Sequence, residues 1–265
     1  MNRIILLFCA ALVGAGLLVA GLALYLRQPE AALLTQAPDH GTAFILEVDY
    51  PKTGAGTNEL SILQEAIRRR AARVGVKIFW EPISNSQVRV VAALRNPGDA
   101  QPVQRLLFRP GVLTLRLVHE ESDRLIRSGD VPPGYEILKR EILSPPRPMY
   151  LEQVIVKIEA ESGLSGNLIK QAMVVRGHFG EPQINFTMQP EAAAAFAKVT
   201  ADNIGRRLAV VLDGKPYSAP VIQSPITTGQ GQITGQFTSS EALELAGAFE
   251  TPLPVAVRVV ESKTF

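Results

Sequence analysis

The chain has 265 residues, 46% hydrophobic and 20% charged, enough apolar material to bury a core and not the composition of a disordered tail. Its 27 basic and 25 acidic side chains leave a formal charge of +2, without the basic excess of a dedicated nucleic-acid binder. One cysteine excludes an intramolecular disulfide, and with three scattered histidines neither a metal site nor a cofactor is expected.

Ile4 to Leu26 contains no charged residue and is flanked by Arg3 and Arg27. As a helix this run reaches about 35 Å, enough to cross the hydrocarbon core with some tilt. A secretory signal peptide is the competing reading. Its apolar region is ordinarily shorter and ends at a small-residue cleavage site, whereas here Tyr25 and Leu26 carry the run up to the arginine. The length therefore favours an uncleaved membrane anchor over residues 1–28. The α-amine and Arg3 against Arg27 alone orient the N-terminus inward and the body outward, by a margin of one charge. Cys9, inside the run, reads as small apolar filler.

Residues 29–41 form a linker rich in Pro, Ala and polar side chains. Phe44, Leu46, Val48 and Tyr50 then alternate as a half-buried strand. After the glycine-rich PKTGAGT stretch, Leu60, Leu63, Ile67 and Val74 form the apolar stripe of a helix that Gly75 ends, with Glu65 placed to pair Arg68 or Arg69. Val76, Ile78 and Trp80 alternate as a second strand, and Val88, Val90 and Ala92 as a third. A short helix through Leu106 and Leu107 follows, and Leu113, Leu115 and Leu117 make a fourth strand. This order is β-α-β-β-α-β, a ferredoxin-like split unit over 42–119. Residues 120–149, with Pro132-Pro133-Gly134 and Pro145-Pro146-Arg147-Pro148, read as a stiff connector and domain boundary.

The second half, 150–252, is mixed α and β. Ile184, Phe186 and Met188 alternate, and Pro190 opens a helix that runs toward Gly205. Leu208 to Leu212 is a strand, and Asp213-Gly214 is a strong hairpin signal. Thr238 and Glu241 have capping-box spacing ahead of ALELAGAF, and Val255, Val257 and Val259 form a last strand within 253–265.

Enzyme chemistry finds little support. Lys52-Thr53-Gly54 matches one motif of serine β-lactamases, but the chain has no Ser-x-x-Lys and no Ser-Asp-Asn to supply the nucleophile. The stretch is not a P-loop either, since no Gly-Lys-Ser/Thr closes it. His178, between two glycines in RGHFGEP, has no nucleophile placed beside it by any motif. Of Arg68, Arg69, Arg70 and Arg73, three lie away from the apolar stripe, so the cluster reads as a solvated helix face and not as a site for phosphate or lipid head groups. QVRVVA lacks the stacking aromatics of an RNA-binding ferredoxin-like module.

ILQEAIRRRAARVGVKIFWEPISNSQVRVVAAL, LSGNLIKQA, GEPQINFTM, the long block from AAFAKVTADN to SSEALELA, and LPVAVRVVE follow one another in an order that resembles the first extracytoplasmic (P1) domain of SecD, a subunit of the bacterial protein-export machinery. The resemblance covers roughly 42–261. It implies an α+β fold in which a ferredoxin-like base carries an inserted head, with residues 253–265 returning to the base behind a first membrane helix. It further implies a single-pass protein of the bacterial inner membrane with an extracytoplasmic body. The expected partners are Sec translocon components and exported polypeptides, with no nucleic acid and no catalysis.

Two departures accompany the resemblance. The lead-in to the last strand is changed to Glu250-Thr251-Pro252-Leu253-Pro254. The family's further membrane helices, which hold groups linked to proton flow, have no counterpart before Phe265, so the expectation is a SecD-like accessory without its own proton pathway. The alternative is a structural or assembly module of the cell envelope that keeps the fold and not the export role. Binding unfolded chain needs accessible apolar surface or strand edges. Ring side chains amid Gly, Pro and Ser make His178, Phe179 and Tyr217 the candidate polypeptide-binding residues, against the bland reading that the last two pack beneath their own loops.

Overall fold

In the computed structural model the described residues are 34–49, 56–142, 150–178, 180–235 and 237–265. The expected anchor and residues 29–33 of the linker lie outside them, as do Tyr50 and the glycine-rich stretch through Ala55. Among the described residues no helix is long and apolar enough to cross a membrane. Two compact units divide them, 34–110 with 251–265, and 111–250.

The first unit begins with β1 (Thr42–Asp49), whose inward side chains Phe44, Leu46 and Val48 are buried while Ile45 and Glu47 are half-buried, as the period-two pattern requires. Helix α1 (Gly56–Arg73) follows, then β2 (Ile78–Pro82), β3 (Gln87–Ala92) and α2 (Ala100–Phe108). Leu63, Ile67 and Ala71 of α1 join Val103, Leu106 and Leu107 of α2 over the sheet, and Phe44 meets the edge of Phe108 at 5.2 Å between ring centroids. Gly41 is required where it stands: a Cβ there would lie 2.3 Å from the carbonyl oxygen of Ala92.

The arginine cluster divides. Arg68 and Arg69 lie on the outside of α1 and converge on Glu65, at 2.7 Å each. The Arg68 hydrogen bond is the main cause that holds the Glu65 carboxyl down to about 2. Arg70, by contrast, is 1% exposed, which corrects the solvated-face reading for this residue. Its guanidinium donates to the carbonyls of Leu106, Leu107, Arg109, Pro110 and Thr251. The first two are end carbonyls of α2, which lack helical partners and carry the negative pole of the helix.

The second unit starts with β4 (Leu113–Leu117), α3 (Ser122–Ser128), β5 (Tyr135–Ile142) and β6 (Tyr150–Lys157). Residues 122–142, read from sequence as connector, therefore form a helix and a strand. Pro132-Pro133-Gly134 is the turn into β5, where the Tyr135 amide donates to Pro132 at 3.1 Å. Then come β7 (Ser165–Gly166), β8 (Ile169–Arg176), β9 (Pro182–Met188), α4 (Pro190–Asp202), β10 (Leu208–Leu212), β11 (Lys215–Ser218), β12 (Gln230–Ile233) and α5 (Ser239–Glu250). The sheets are ordered β11-β10-β4-β7 and β12-β9-β8, with β5 and β6 as a separate hairpin.

The chain returns to the first unit as β13 (Ala256–Thr264), which pairs along the whole of β1 from Thr42 opposite Thr264 to Asp49 opposite Ala256. The base sheet is thus β13-β1-β3-β2, a ferredoxin-like order with both helices on one face. Its fourth strand is β13 and not Leu113–Leu117. Those leucines do form a strand, but they pair with β10 and share a core with Leu212 and Phe249. Alternation establishes a strand and one buried face; it does not choose the partner.

Candidate functional site

Within the inserted unit, β8 and β9 form a hairpin whose turn spans 177–181. The Gly177 amide donates to Glu181 at 2.7 Å, the Gly180 amide to Gly177 at 3.0 Å, and Arg176 Nη1 to the Gly180 carbonyl at 3.2 Å. Gly180 sits at φ +83°, where a side chain is disfavoured. His178 is exposed at this tip. Phe179 lies outside the described residues.

Tyr217 is on a different sheet, in β11, and is half-buried. The Arg140 guanidinium carbon stands 4.3 Å from its ring centroid and 5.5 Å from that of Phe237, and Arg140 Nη1 donates to the Tyr217 carbonyl at 3.4 Å. A cation stacked this way, on a side chain only 8% exposed, ties the β5–β6 hairpin to the sheet that holds Tyr217. Tyr217 is therefore engaged within the fold by Arg140.

Arg140 was absent from the candidates read from sequence. The signal was its parity: it shares the inward set of β5 with Leu138 and Ile142, both buried. Glu152 is its cross-strand neighbour. Desolvation pushes the Glu152 carboxyl above the ordinary carboxylate range, while the charges of Arg140 and Arg207 oppose that shift.

Asp213 and Gly214 both have positive φ, +50° and +74°, as the hairpin signal demands. The Asp213 carboxylate also accepts the amides of Gly111 at 2.9 Å and Val112 at 2.8 Å, so its role is to hold the start of β4. Among the described residues no group of three or more His, Cys, Asp or Glu side chains could hold a metal ion.

Residues 140–255 match the family model described as SecDF, P1 head subdomain. Protein translocase subunit SecD of Desulfurispirillum indicum is 34% identical over 213 residues, 78% of this chain and 41% of the relative. Protein translocase subunit SecDF of Thermus thermophilus is 31% identical over 241 residues, 83% of this chain and 30% of the relative. The chain thus spans well under half the length of these two relatives. A solved structure of SecDF, described as a membrane component that enhances protein export, superposes with a TM-score of 0.60 at 27% identity, covering 83% of this chain and 98% of that one. A SecDF structure in a super-membrane-facing form gives 0.64 at 25% identity, covering 94% of this chain and 34% of that one. At the level of family, the body of this chain is matched to the extracytoplasmic P1 domain of SecD and SecDF, an α+β fold with a ferredoxin-like base and an inserted α/β head.

Proposed function

We propose that this chain is a membrane-anchored, SecD-like accessory of protein export whose extracytoplasmic body contacts translocating polypeptide or the Sec channel. The observation that carries the reading is the breadth of the likeness: base and inserted head correspond together to a SecDF domain, over 83% of this chain and 98% of that one. Residues 1–28 serve as anchor and 29–41 as linker, with the body outside the inner membrane. The apolar run 4–26 holds no ionisable side chain, so this reading assigns it anchoring and not proton relay. The task is binding, without catalysis. Of the ring residues singled out in the sequence, the proposed contact is the β8–β9 turn with His178 and Phe179, since Tyr217 is already held by Arg140.

The test is a photoreactive residue in place of His178, crosslinked in intact cells, with the captured partners identified by mass spectrometry. Many different secreted chains, or channel subunits, are expected. Capture of one abundant envelope protein at every growth stage would replace export with an assembly role.

A further inference from the structure

One end of the base sheet closes in a single row of residues. Gly41 and Phe265 exchange both backbone hydrogen bonds at 3.0 Å, and the Ala93 amide donates to the Lys77 carbonyl at 2.9 Å. The next row inward is Thr264, Thr42, Ala92 and Ile78. The linker enters here from the far edge, where the Leu34 amide donates to the Ile78 carbonyl of β2 at 2.9 Å. It then passes the end of β3 to reach β1. Linker, α1–β2 turn and β3–α2 turn thus gather at this one end.

The cations of the base sort by place. Arg68 and Arg69 pair with Glu65, Arg89 with Glu81 and Arg258 with Glu47. Arg70 is held by carbonyls, and Arg73, Arg105 and Arg109 have partners too. Among the described residues of the base, Lys77, Arg95 and Lys263 are the basic side chains with no such partner, and all three are exposed. All three stand at the gathered end. Lys77 is in the closing row, Arg95 lies two residues beyond Ala93, and Lys263 is opposite Ala43, two pairs in. Arg73, in the last turn of α1, adds a fourth cation.

Carboxylates at this end are fewer. Asp39 is on the linker, and Asp99 accepts a hydrogen bond from the Asn96 side chain at 3.4 Å. Glu261 lies two residues inward of Lys263, about 7 Å further from the end. The turn at the other end of the sheet, Ile83 to Ser86, carries no charge at all.

Chain length decides what this end faces. Eight residues lead from Leu26, the last of the apolar run, to Leu34. Fully extended they span at most about 29 Å. The sheet end is therefore tethered within short reach of the lipid head groups, whose layer is itself about 5–8 Å deep on each side. A site held so close meets its target at an effective concentration in the millimolar range. Near an anionic surface each Lys or Arg contributes about fivefold to binding, which is enough for a tethered site. An acidic protein surface would answer the same charges, but the chain itself holds only the bilayer at this distance.

We propose that this end of the base docks, through Lys77, Arg95 and Lys263, on anionic phospholipid head groups of the bilayer that anchors the chain. The inference rests on the anchor of the export reading and is independent of what the head binds.

The test uses the full chain carrying Cys9→Ala and a fluorophore on Gly98→Cys, where an added Cβ meets nothing within 4 Å. It is reconstituted into vesicles of phosphatidylcholine alone, or of phosphatidylcholine mixed with phosphatidylglycerol. Both carry the same share of a lipid with a nitroxide on its head group. Quenching is expected to be several-fold stronger in the anionic vesicles, and to vanish in 1 M salt, where the screening length falls to about 3 Å. Lys77→Gln with Arg95→Gln should lower the ratio of docked to undocked base by roughly tenfold or more. Arg89→Gln, whose cation is already paired with Glu81, should leave it unchanged. Circular dichroism should show each variant folded. Flotation of the vesicles in 1 M salt reads the anchor separately. A chain that floats but is quenched equally in both lipids, or in neither, would overturn the docking surface alone. Unchanged quenching in the folded double variant would do the same. A chain that fails to float would overturn the anchor and this inference with it.

Discussion

Glu152 illustrates how one residue is governed by its neighbours. It is half-buried, lies across the hairpin from Arg140 and feels the charge of Arg207, yet desolvation dominates and its pKa lies above the ordinary carboxylate value. A carboxyl raised on folding stabilises the native state most when protonated, below its unfolded pKa, and that contribution is lost as pH rises through the folded value. Glutamine mimics the protonated form. Glu152→Gln is therefore expected to raise the urea midpoint near pH 7 and to leave it close to the parent near pH 4, where the parent carboxyl is taking up its proton. Equal gaps at both pH values, or a variant less stable near neutrality, would show that the two arginines outweigh burial. Glu65 has the opposite sign. The stability it adds through Arg68 and Arg69 is present above the ordinary carboxylate value and is lost as pH falls toward about 2.

At the scale of elements, helix α5 is the wall against which the inner face of β12-β9-β8 packs, and its start was legible in the sequence. The Glu241 amide donates to Thr238 Oγ1 at 3.1 Å, and the Thr238 amide donates back to Glu241 Oε2 at 2.8 Å. Thr238→Ala should destabilise the chain by about 1 kcal/mol, and Thr238→Ser by much less. Hydrogen exchange in the first turn of α5 should accelerate with the Ala variant alone; equal protection in both would mean that packing, not the cap, fixes the helix start. Caps, turns and strand alternation were readable because each is decided by neighbours within a few residues. What could not be read was partnership. Leu113–Leu117 has the right alternation for either sheet, and its pairing with β10 is settled almost a hundred residues later. Arg70 falls at the spacing of the stripe Leu63, Ile67 and Val74, unlike Arg68 and Arg69, but what pairs it there is settled only when the carbonyls of Pro110 and Thr251 are brought to it. The candidate site was legible in the same uneven way. The β8–β9 turn was flagged by its glycines, but the stacking of Arg140 on Tyr217 emerges only once the β5–β6 hairpin is brought to the sheet that holds β11.

For the molecule as a whole, the base is split in sequence by about 140 residues of inserted head, and its integrity depends on where the two cut ends meet. They meet at a dense polar junction. The Leu253 amide donates to the Pro110 carbonyl at 2.8 Å, and Arg70 gathers carbonyls from both sides, at Arg109, Pro110 and Thr251. Each of these groups belongs to the base. Closing a loop of about 140 residues instead of a handful costs roughly 3 kcal/mol of chain entropy. Joining Pro110 to Thr251 through a short Gly-Ser linker, in a chain beginning near Leu34, should therefore leave the base folded and speed its folding, since β13 then finds β1 at short sequence separation. A cooperative urea transition with dispersed amide resonances is the expected result. Arg70→Met in the same shortened chain should lower its stability by about 3 kcal/mol or more, because it strands buried carbonyls that now face a cation. A molten base in the shortened chain would show that the head is needed to hold β13 in register. A folded base indifferent to Arg70→Met would show that the β1–β13 pairing alone closes the gap.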